Sequence, residues 1–534
     1  MKFFAFSHPN GNRAAAVFGG LLMLAASCLA EPKAGDVIFR SDFGDTNALR
    51  QWGAPNVPGV TIVPGFRKTP SLRIEMPESG GRSVTVHLGL PVEKMRGARV
   101  LCEAMIKADG VSEPPKPWNG VKFMLHVQGP AGESWPQRDK VFGSFDWKRV
   151  RFMATIPPDA TAVDLILGLE AVTGRAEFDD IKITVARGPR VRPAAAPAGP
   201  AFTGHTEPRL RGAMISPDIT PESLRILGQE WNANLIRWQL IRTGGSARIS
   251  TTTEYDEWLR DQLRRLDAAL PLCKKYGVRV VLDLHSPFGG TPTSGGYVGS
   301  DGGLFTSKAA QDKFVADWAM MARRYRDEPM IWGYDLVNEP VEGEVGQGCD
   351  DWQALATRAA QAVRAADPDH AIIVEPAPWG GPEALENLAP IPVTGVVYSV
   401  HMYVPHQFTH QGVHKPSPGV AYPGMIGGKY WDKAALRRAL QPVREWQRDY
   451  GAHIYLGEFS AIRWAPGESA ANYLKDCLEL FEEFGWDWSY HAFREWNGWS
   501  VEHGPDKADS APSPTQTSRE KLLREWYRKN VKSP

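Results

Sequence analysis

Two rhythms of apolar and polar residues divide this chain. Between about Gly35 and Ala186, apolar and polar positions alternate in short runs at 37–43, 84–88, 121–127, 149–153 and 178–185, with Gly and Pro turns between them. Period-two alternation in many short segments predicts an all-β sandwich over residues 35–186. The stretch 188–200 is dominated by Pro and Ala and predicts a stiff linker, placed at residues 187–204. From Leu210 onward short apolar runs alternate with amphipathic segments of helical spacing. Strands are expected at 210–215, 235–238, 278–285, 331–337, 371–374, 396–401, 453–457 and 486–493. Helices are expected at 254–276, 308–326, 352–366, 433–449, 470–484 and 518–529. Leu259, Leu263, Leu266 and Leu270 keep helical spacing, as do Phe314, Trp318 and Met321. Eight strands alternating with helices predict a (β/α)8 TIM barrel over residues 205–534. A doubly wound sheet is the rival, but no Gly-rich phosphate turn follows the first strand.

A barrel of this kind gathers its working residues at the C-terminal ends of its strands. In chain order those ends carry Arg237, His285, Asn338 with Glu339, Glu375, His401 with Tyr403, and Glu458. Ionisable groups closing otherwise apolar runs are not what random placement would give. Glu339 and Glu458 stand 119 positions apart, so only the fold can bring them together. Two carboxylates facing one another suit cleavage of a glycosidic bond, one as acid and one as nucleophile. Gly457 permits close approach to Glu458, and Arg237 on a neighbouring strand would hold that carboxylate ionised. The Asn338 amide suits a sugar 2-hydroxyl, and His401 is placed to tune the proton on Glu339.

These residues resemble glycoside hydrolase family 5, within the large clan of retaining (β/α)8 hydrolases. The resemblance rests on Asn338-Glu339-Pro340 at strand four, Glu458 closing strand seven, Arg237 in Asn234-Leu-Ile-Arg237, His285 in Asp283-Leu-His285, and His401-Met-Tyr403. It covers roughly residues 205–534 and implies Glu339 as acid/base, Glu458 as nucleophile, and Arg237, His285, Asn338, His401 and Tyr403 as substrate-site residues. One departure concerns the Trp that the family usually places after strand eight as a sugar platform. Its position falls near His491 or Phe493, and Trp496 is the remaining candidate. The sandwich is similar, in position and strand rhythm, to carbohydrate-binding jelly-roll modules, with Trp118 and Trp135 in turn-rich segments as candidate stacking surfaces. The resemblance implies hydrolysis of a β-1,4-linked polysaccharide, most simply as a cellulase-like endo-β-1,4-glucanase. A β-mannanase, an exo-acting β-glucosidase and a non-catalytic sugar-binding barrel are the alternatives.

Composition agrees with a neutral polymer as partner. Lys+Arg and Asp+Glu balance at 61 each among 534 residues, so no basic surface invites nucleic acid, and 19 Trp suit the faces of sugar rings. No cofactor or metal is implied, and a monomer is expected. His406, His410 and His414 are spaced by four, but Pro405 and Gly412 interrupt a helix there, so a loop-stabilising or substrate-lining role is expected instead. Glu375-Pro376 has no preceding Asn and reads as a cleft wall or subsite residue. Trp379, Trp431 and Trp464 stand in loops after strands five, six and seven as further stacking candidates. The Gly-rich stretch 287–303 lacks a Lys-Ser/Thr ending and reads as a long active-site loop. Residues 1–30 have the charge and short apolar run of a signal peptide, which predicts secretion or a periplasmic location. Cys28 after Ala-Ala-Ser also resembles a lipoprotein cleavage site, which would add a lipid anchor. Cys102, Cys273, Cys349 and Cys477 are scattered and form no CxxC pair, so buried apolar thiols are expected.

Overall fold

The computed structural model describes residues 31–532 except 46, 78–82, 131, 191, 196–199, 292–302, 344, 415, 417 and 418. The leader expected at residues 1–30, with Cys28, lies outside the described residues, as does most of the Gly-rich loop. The chain divides into two compact units, one ending at Pro189 and the other beginning at Arg190.

The first unit is built from antiparallel strands in two sheets. One sheet runs in the order Val60–Pro64, Pro70–Met76, Gly174–Arg187, Arg99–Val111, Gly143–Thr155, with Val37–Ser41 also paired to Gly174–Arg187. The other runs Ser83–Gly89, Ala162–Glu170, Gly120–Gly129, Gly132–Ser134. A continuous buried core that includes Leu72, Ile106, Leu125, Phe152, Leu167 and Phe178 is contributed by both sheets. Sequence alternation located Val37–Ser41, Ser83–Gly89, Gly120–Gly129, Gly143–Thr155 and Gly174–Arg187. It missed Ala162–Glu170, whose Leu165, Ile166, Leu167 and Leu169 are all buried, because a strand with little polar alternation carries no period-two signal.

The second unit is a closed barrel of eight parallel strands: β1 Arg211–Ile215, β2 Leu235–Gln239, β3 Arg279–Asp283, β4 Ile331–Asp335, β5 Ala371–Val374, β6 Val396–Met402, β7 His453–Phe459 and β8 Asp487–Phe493. Residues read as linker are partly fixed to it. Arg190 donates to the Asn387 carbonyl and to Asp351, and Arg192 to the carbonyls of Leu385 and Leu388. Guanidinium groups that satisfy part-buried carbonyls dock a segment that composition alone marks as spacer.

Helices fill the connections for reasons the sequence states locally. The helix Thr252–Tyr276 starts at a capping box between Thr251 and Glu254 and stops at Gly277, whose φ of 62° is left-handed. The helix Lys308–Tyr325 buries Phe314, Trp318 and Met321, and the Trp318 indole donates to the Leu336 carbonyl. Trp318→Ala would cost about 3–5 kcal/mol by opening that contact. The single helix expected at 433–449 is two, Lys433–Ala439 and Gln441–Tyr450, because Pro442 lacks the N–H needed to continue the first and suits the opening turn of the second.

Along each barrel strand every second residue points inward. Low in the barrel those positions are apolar: Leu235, Val281, Ile373, Val397 and Tyr455 share one small cluster. Two residues further along each strand they are Arg237, Asp283, Glu375, Ser399 and Gly457, with Asp335 at the same level on β4. An apolar plug therefore supports a polar layer, and the candidate site stands on that layer.

Candidate active site

Arg237 is the centre of the polar layer and is fully buried. Its Nη1 donates to Glu458 Oε1 at 2.6 Å, its Nη2 to Glu375 Oε1 at 2.9 Å and Asn338 Oδ1 at 3.1 Å, and its Nε to Asp335 Oδ2 at 3.0 Å. Asp283 Oδ2 lies 3.3 Å from Nη2. Five strands thus meet at one guanidinium, whose planar fork can serve several carboxylates at once. Burial pushes Asp335 well above the usual carboxylate range despite Arg237, with Glu375 and Asp283 adding to the rise.

Glu458 reaches this layer through a bulge. The pairing of β6 with β7 shifts between Val400 and His401, so that His401 faces Glu458 and Gly457 is left over. A Cβ at Gly457 would sit 2.6 Å from Ser399 Oγ and 2.9 Å from His401 Nε2, so only glycine fits. Tyr403 Oη donates to Glu458 Oε2 at 2.8 Å, and His491 Nδ1 lies 3.0 Å from the same oxygen.

Glu339 follows β4 in a left-handed conformation, φ 44°. Its N–H donates to Glu375 Oε2 at 2.8 Å, and its Oε1 is 3.0 Å from His401 Nδ1. The side chain is 24 % exposed, against 4 % for Glu458. A carboxylate oxygen of Glu339 and one of Glu458 lie within 4.8 Å of each other, with His401 between. His401 Nε2 stands 3.1 Å from Glu375 Oε1, an ion-pair contact rather than an aligned hydrogen bond.

The two glutamates are driven in opposite directions. Burial raises the Glu339 carboxyl above its ordinary range, opposed by His401 and reinforced by the charges of Glu458 and Glu375. Burial would raise Glu458 too, but His491, His401 and Arg237 outweigh it and hold that carboxylate well below its ordinary range. Burial likewise disfavours the His401 cation, yet Glu375, Glu458 and Glu339 raise it well above the ordinary imidazole range. Environment alone separates two chemically identical side chains.

Arg237, Asn338, Glu339, His401, Tyr403 and Glu458 are therefore brought together at one end of the barrel. His285, just past β3, is held by Asp283 through Nδ1 at 2.8 Å. Glu375 corrects the sequence reading: it is fully buried, so it supports Arg237, His401 and the Glu339 backbone from below and is not a cleft wall. Phe493 is buried against Trp231, which removes it as a sugar platform. His491 touches Glu458, while Trp496, 42 % exposed, is one ring further out. Trp499 packs against both, with ring centroids 5.8 Å from His491 and 5.5 Å from Trp496. Trp379 is 60 % exposed, and its N–H donates to the Pro340 carbonyl beside Glu339. Trp431 packs partly against the core, and Trp464 stands edge-on to Trp496. His406 and His410 stack face to face at 3.8 Å, and His410 packs edge-on against Trp499, which fits a loop-stabilising role better than a shared ligand. Burial drives the His410 imidazole down to about 3.

Sequence reasoning missed Asp283, Asp335 and Glu495 as parts of this network. The first two close β3 and β4, so the same strand-end rule could have found them. A second His/Asp group, His205, His453 and Asp487, involves the opening residues of β7 and β8. There Asp487 Oδ2 lies 2.7 Å from His205 Nε2 and 2.6 Å from His453 Nε2, which joins the chain entering the barrel to two strands.

A closed parallel barrel whose strand ends hold two glutamates in contrasting environments defines the class of (β/α)8 glycoside hydrolases. Residues 203–495, more than half of the chain, match the cellulase family, glycosyl hydrolase family 5, and the chain belongs to that family. It is 30 % identical over 273 residues to endoglucanase C of Acetivibrio thermocellus, covering 45 % of this chain and 76 % of that one. Cellodextrinase A of Ruminococcus flavefaciens is 26 % identical over 251 residues, 45 % of this chain and 69 % of its own. A solved glycoside hydrolase superposes with a TM-score of 0.49 at 25 % identity, over 60 % of this chain and 100 % of that one.

Proposed function

We propose that this glycoside hydrolase is an endo-acting β-1,4-glucanase working by double displacement, with Glu339 as acid/base and Glu458 as nucleophile. The observation that carries the mechanism is the approach of two carboxylates, with oxygens within 4.8 Å of each other, in environments that favour the proton on Glu339 and the charge on Glu458. Retaining enzymes place the pair about 5–5.5 Å apart, whereas inverting ones leave room for a water. In the first step Glu458 attacks the anomeric carbon, the glycosidic C–O bond breaks, and Glu339 gives its proton to the departing oxygen. In the second, water attacks the same carbon, its proton passes to Glu339, and Glu458 leaves as carboxylate. His491, His401 and Arg237 hold Glu458 ionised, Tyr403 orients it, and Asn338 is placed for the sugar 2-hydroxyl.

Glucan is favoured over mannan by the endoglucanase and cellodextrinase among the relatives. Trp379, bonded to Pro340 next to Glu339, and Trp496, packed on Trp499, offer exposed rings for sugar stacking. The leader-like residues 1–30 support export, as an insoluble or extracellular polymer requires. The test is release of new reducing ends from soluble β-1,4-glucan, galactomannan and xyloglucan, with viscosity followed in parallel. Rapid loss of viscosity on glucan, abolished in Glu458→Gln, is the expected result. Release from galactomannan alone, or of single terminal sugars without viscosity loss, would replace the glucanase reading with a mannanase or exo-acting one. No release from any polymer would leave a binding barrel.

We also take the sandwich as a sugar-binding module. Trp118 and Trp135 are each about half exposed, and Trp135 is braced by the parallel ring of His126 at 5.2 Å.

A further inference from the structure

His491 presents both ring nitrogens to carboxylates. Nδ1 lies 3.0 Å from Glu458 Oε2, and Nε2 lies 3.3 Å from Glu495 Oε2. A neutral imidazole has one N–H and one lone pair, so it can donate to only one of these acceptors. Tyr403 Oη also sits against Nδ1, and because that hydroxyl gives its proton to Glu458 Oε2 it can only accept from the ring, so the doubly protonated ring satisfies Tyr403, Glu458 and Glu495 together. The ring is well enclosed, with its side chain 16 % exposed and that of Glu495 23 % exposed. Buried Trp499 packs at 5.8 Å and fixes the ring plane. Neighbouring Arg494 turns away to Glu502, while Gln239 at the end of β2 lies beside Glu495 together with the imidazole.

We propose that Glu495 and His491 form a relay that keeps an imidazolium against Glu458 and so makes Glu458 a better leaving group in the second displacement. This rests on the double-displacement reading above. In that step the bond between the anomeric carbon and the Glu458 oxygen breaks, and its electron pair returns to the carboxylate. Water bonds to the carbon and gives its proton to Glu339. A fixed cation beside the oxygen that regains charge stabilises this transition state more than the neutral ester before it. The same cation weakens Glu458 as a nucleophile in the first displacement, so the relay shifts effort between the two steps. His491 touches the reacting carboxylate and is the catalytic member; Glu495 acts through it and is a positioning residue.

The groups facing the ring come from several elements. Glu458 belongs to β7, Tyr403 follows β6, His410 lies just past the short helix His406–Thr409, and Glu495 follows β8. His285, past β3, faces Glu495. Burial opposes the charge on His491, but Glu458 and then Glu495 raise the group to about 10.

The decisive substrate is 2,4-dinitrophenyl β-cellobioside, whose leaving group needs no proton, so the second displacement limits kcat. Glu495→Gln should let His491 titrate near its ordinary value of about 6.5. The ratio of variant to wild-type kcat should then fall about tenfold between pH 5.5 and 8.5, about 1.4 kcal/mol of transition-state stabilisation. His491→Asn should lower kcat at every pH without that added dependence. A Glu495→Gln ratio that stays flat across the range overturns the relay. Nitrogen-15 NMR of the histidine-labelled protein gives a second, activity-free reading, with the His491 signal identified by its loss in His491→Asn. Wild-type His491 should hold both protons at pH 8 and titrate near neutrality in Glu495→Gln; a wild-type ring already neutral at pH 8 overturns the proposal. Wild type that turns over the aryl glycoside without a trapped glycosyl-enzyme sinks the double-displacement reading instead, while the NMR titration still decides the dyad.

Discussion

The backbone N–H of Glu339 donates to the side chain of Glu375 at 2.8 Å, and this bond fixes a residue whose φ of 44° is unfavourable for any side chain. A non-glycine residue in this region costs of order 1–3 kcal/mol and persists only when its surroundings hold it. Glu375 does so from the end of β5, itself anchored by Arg237 and by the Trp352 indole on its carbonyl. Glu375→Ala should therefore misplace Glu339. A fall in kcat of about a hundredfold with little change in KM is expected, since loss of orientation by an ångström has that scale. Steady-state kinetics on soluble glucan decide it, and a change confined to KM would show that Glu375 serves binding instead.

The roles of the two glutamates separate in rescue by azide. On the proposed assignment Glu458→Gly lacks the nucleophile, so azide should enter from the opposite face of an activated β-glycoside and give an α-glycosyl azide. Glu339→Ala keeps the first displacement for a good leaving group, and azide should then give a β-glycosyl azide. Each variant should lose about three orders of magnitude or more on unactivated glucan, about 4 kcal/mol of barrier. Product NMR reads the outcome, and swapped products would exchange the two assignments.

His401 controls both limbs of the pH profile. On the proposed double displacement, activity needs Glu458 ionised and Glu339 protonated, so the acid limb follows the depressed group and the alkaline limb the raised one. His401 stabilises the charged form of each carboxylate, lowering both. Removing it in His401→Asn raises both, and the whole bell of kcat/KM against pH should move to higher pH. Limbs that stay in place, or move apart, would contradict the contact of His401 with the pair.

Arg237 is the only cation drawn to Asp283, Asp335, Glu375 and Glu458 alike among the described residues. Arg237→Met leaves buried carboxylates unpaired and should cost about 3–5 kcal/mol of barrel stability near pH 7. The sign with pH follows from linkage. Glu458, held charged by His491, His401 and Arg237, contributes stability above its unfolded value, about 4, and loses it as pH falls through its lower folded value. Without Arg237 the folded value of Glu458 rises, so the variant takes up this proton at higher pH than wild type and its deficit should shrink as the pH falls from 7 to about 4. Urea unfolding followed by tryptophan fluorescence at pH 7 and pH 4 tests this, with an equal deficit at both pH values as the contrary result.

The sandwich makes its own prediction. Trp118→Ala with Trp135→Ala should abolish retardation of the protein in gels containing soluble β-glucan. Stacking of sugar on such rings is of the order of 1 kcal/mol each, so the pair should weaken binding at least about tenfold. Hydrolysis of short soluble oligosaccharides in the barrel should be unaffected. Unchanged retardation would return these rings to a purely structural role.

Local order was written in the chain. Helix caps such as Thr251 with Glu254, stops such as Gly277, and the apolar runs of the barrel strands are short-range chemistry, legible without any fold. The reading of strand ends also located Arg237, Glu339, His401 and Glu458, because a polar group ending an apolar run is a one-dimensional signal. What the sequence could not show is distance. The bulge that turns Glu458 inward at Gly457 depends on the register of β6 against β7. The burial of Glu375 beneath Glu339 depends on how five strands converge on one guanidinium. The His491 link to Glu458 and Glu495 joins residues that share no motif. Each is set by the closure of the barrel, because charge, burial and hydrogen bonding act through space rather than along the chain. The sequence determined which groups are available at the strand ends, and tertiary structure decided the charges and burial that each carboxyl group meets there.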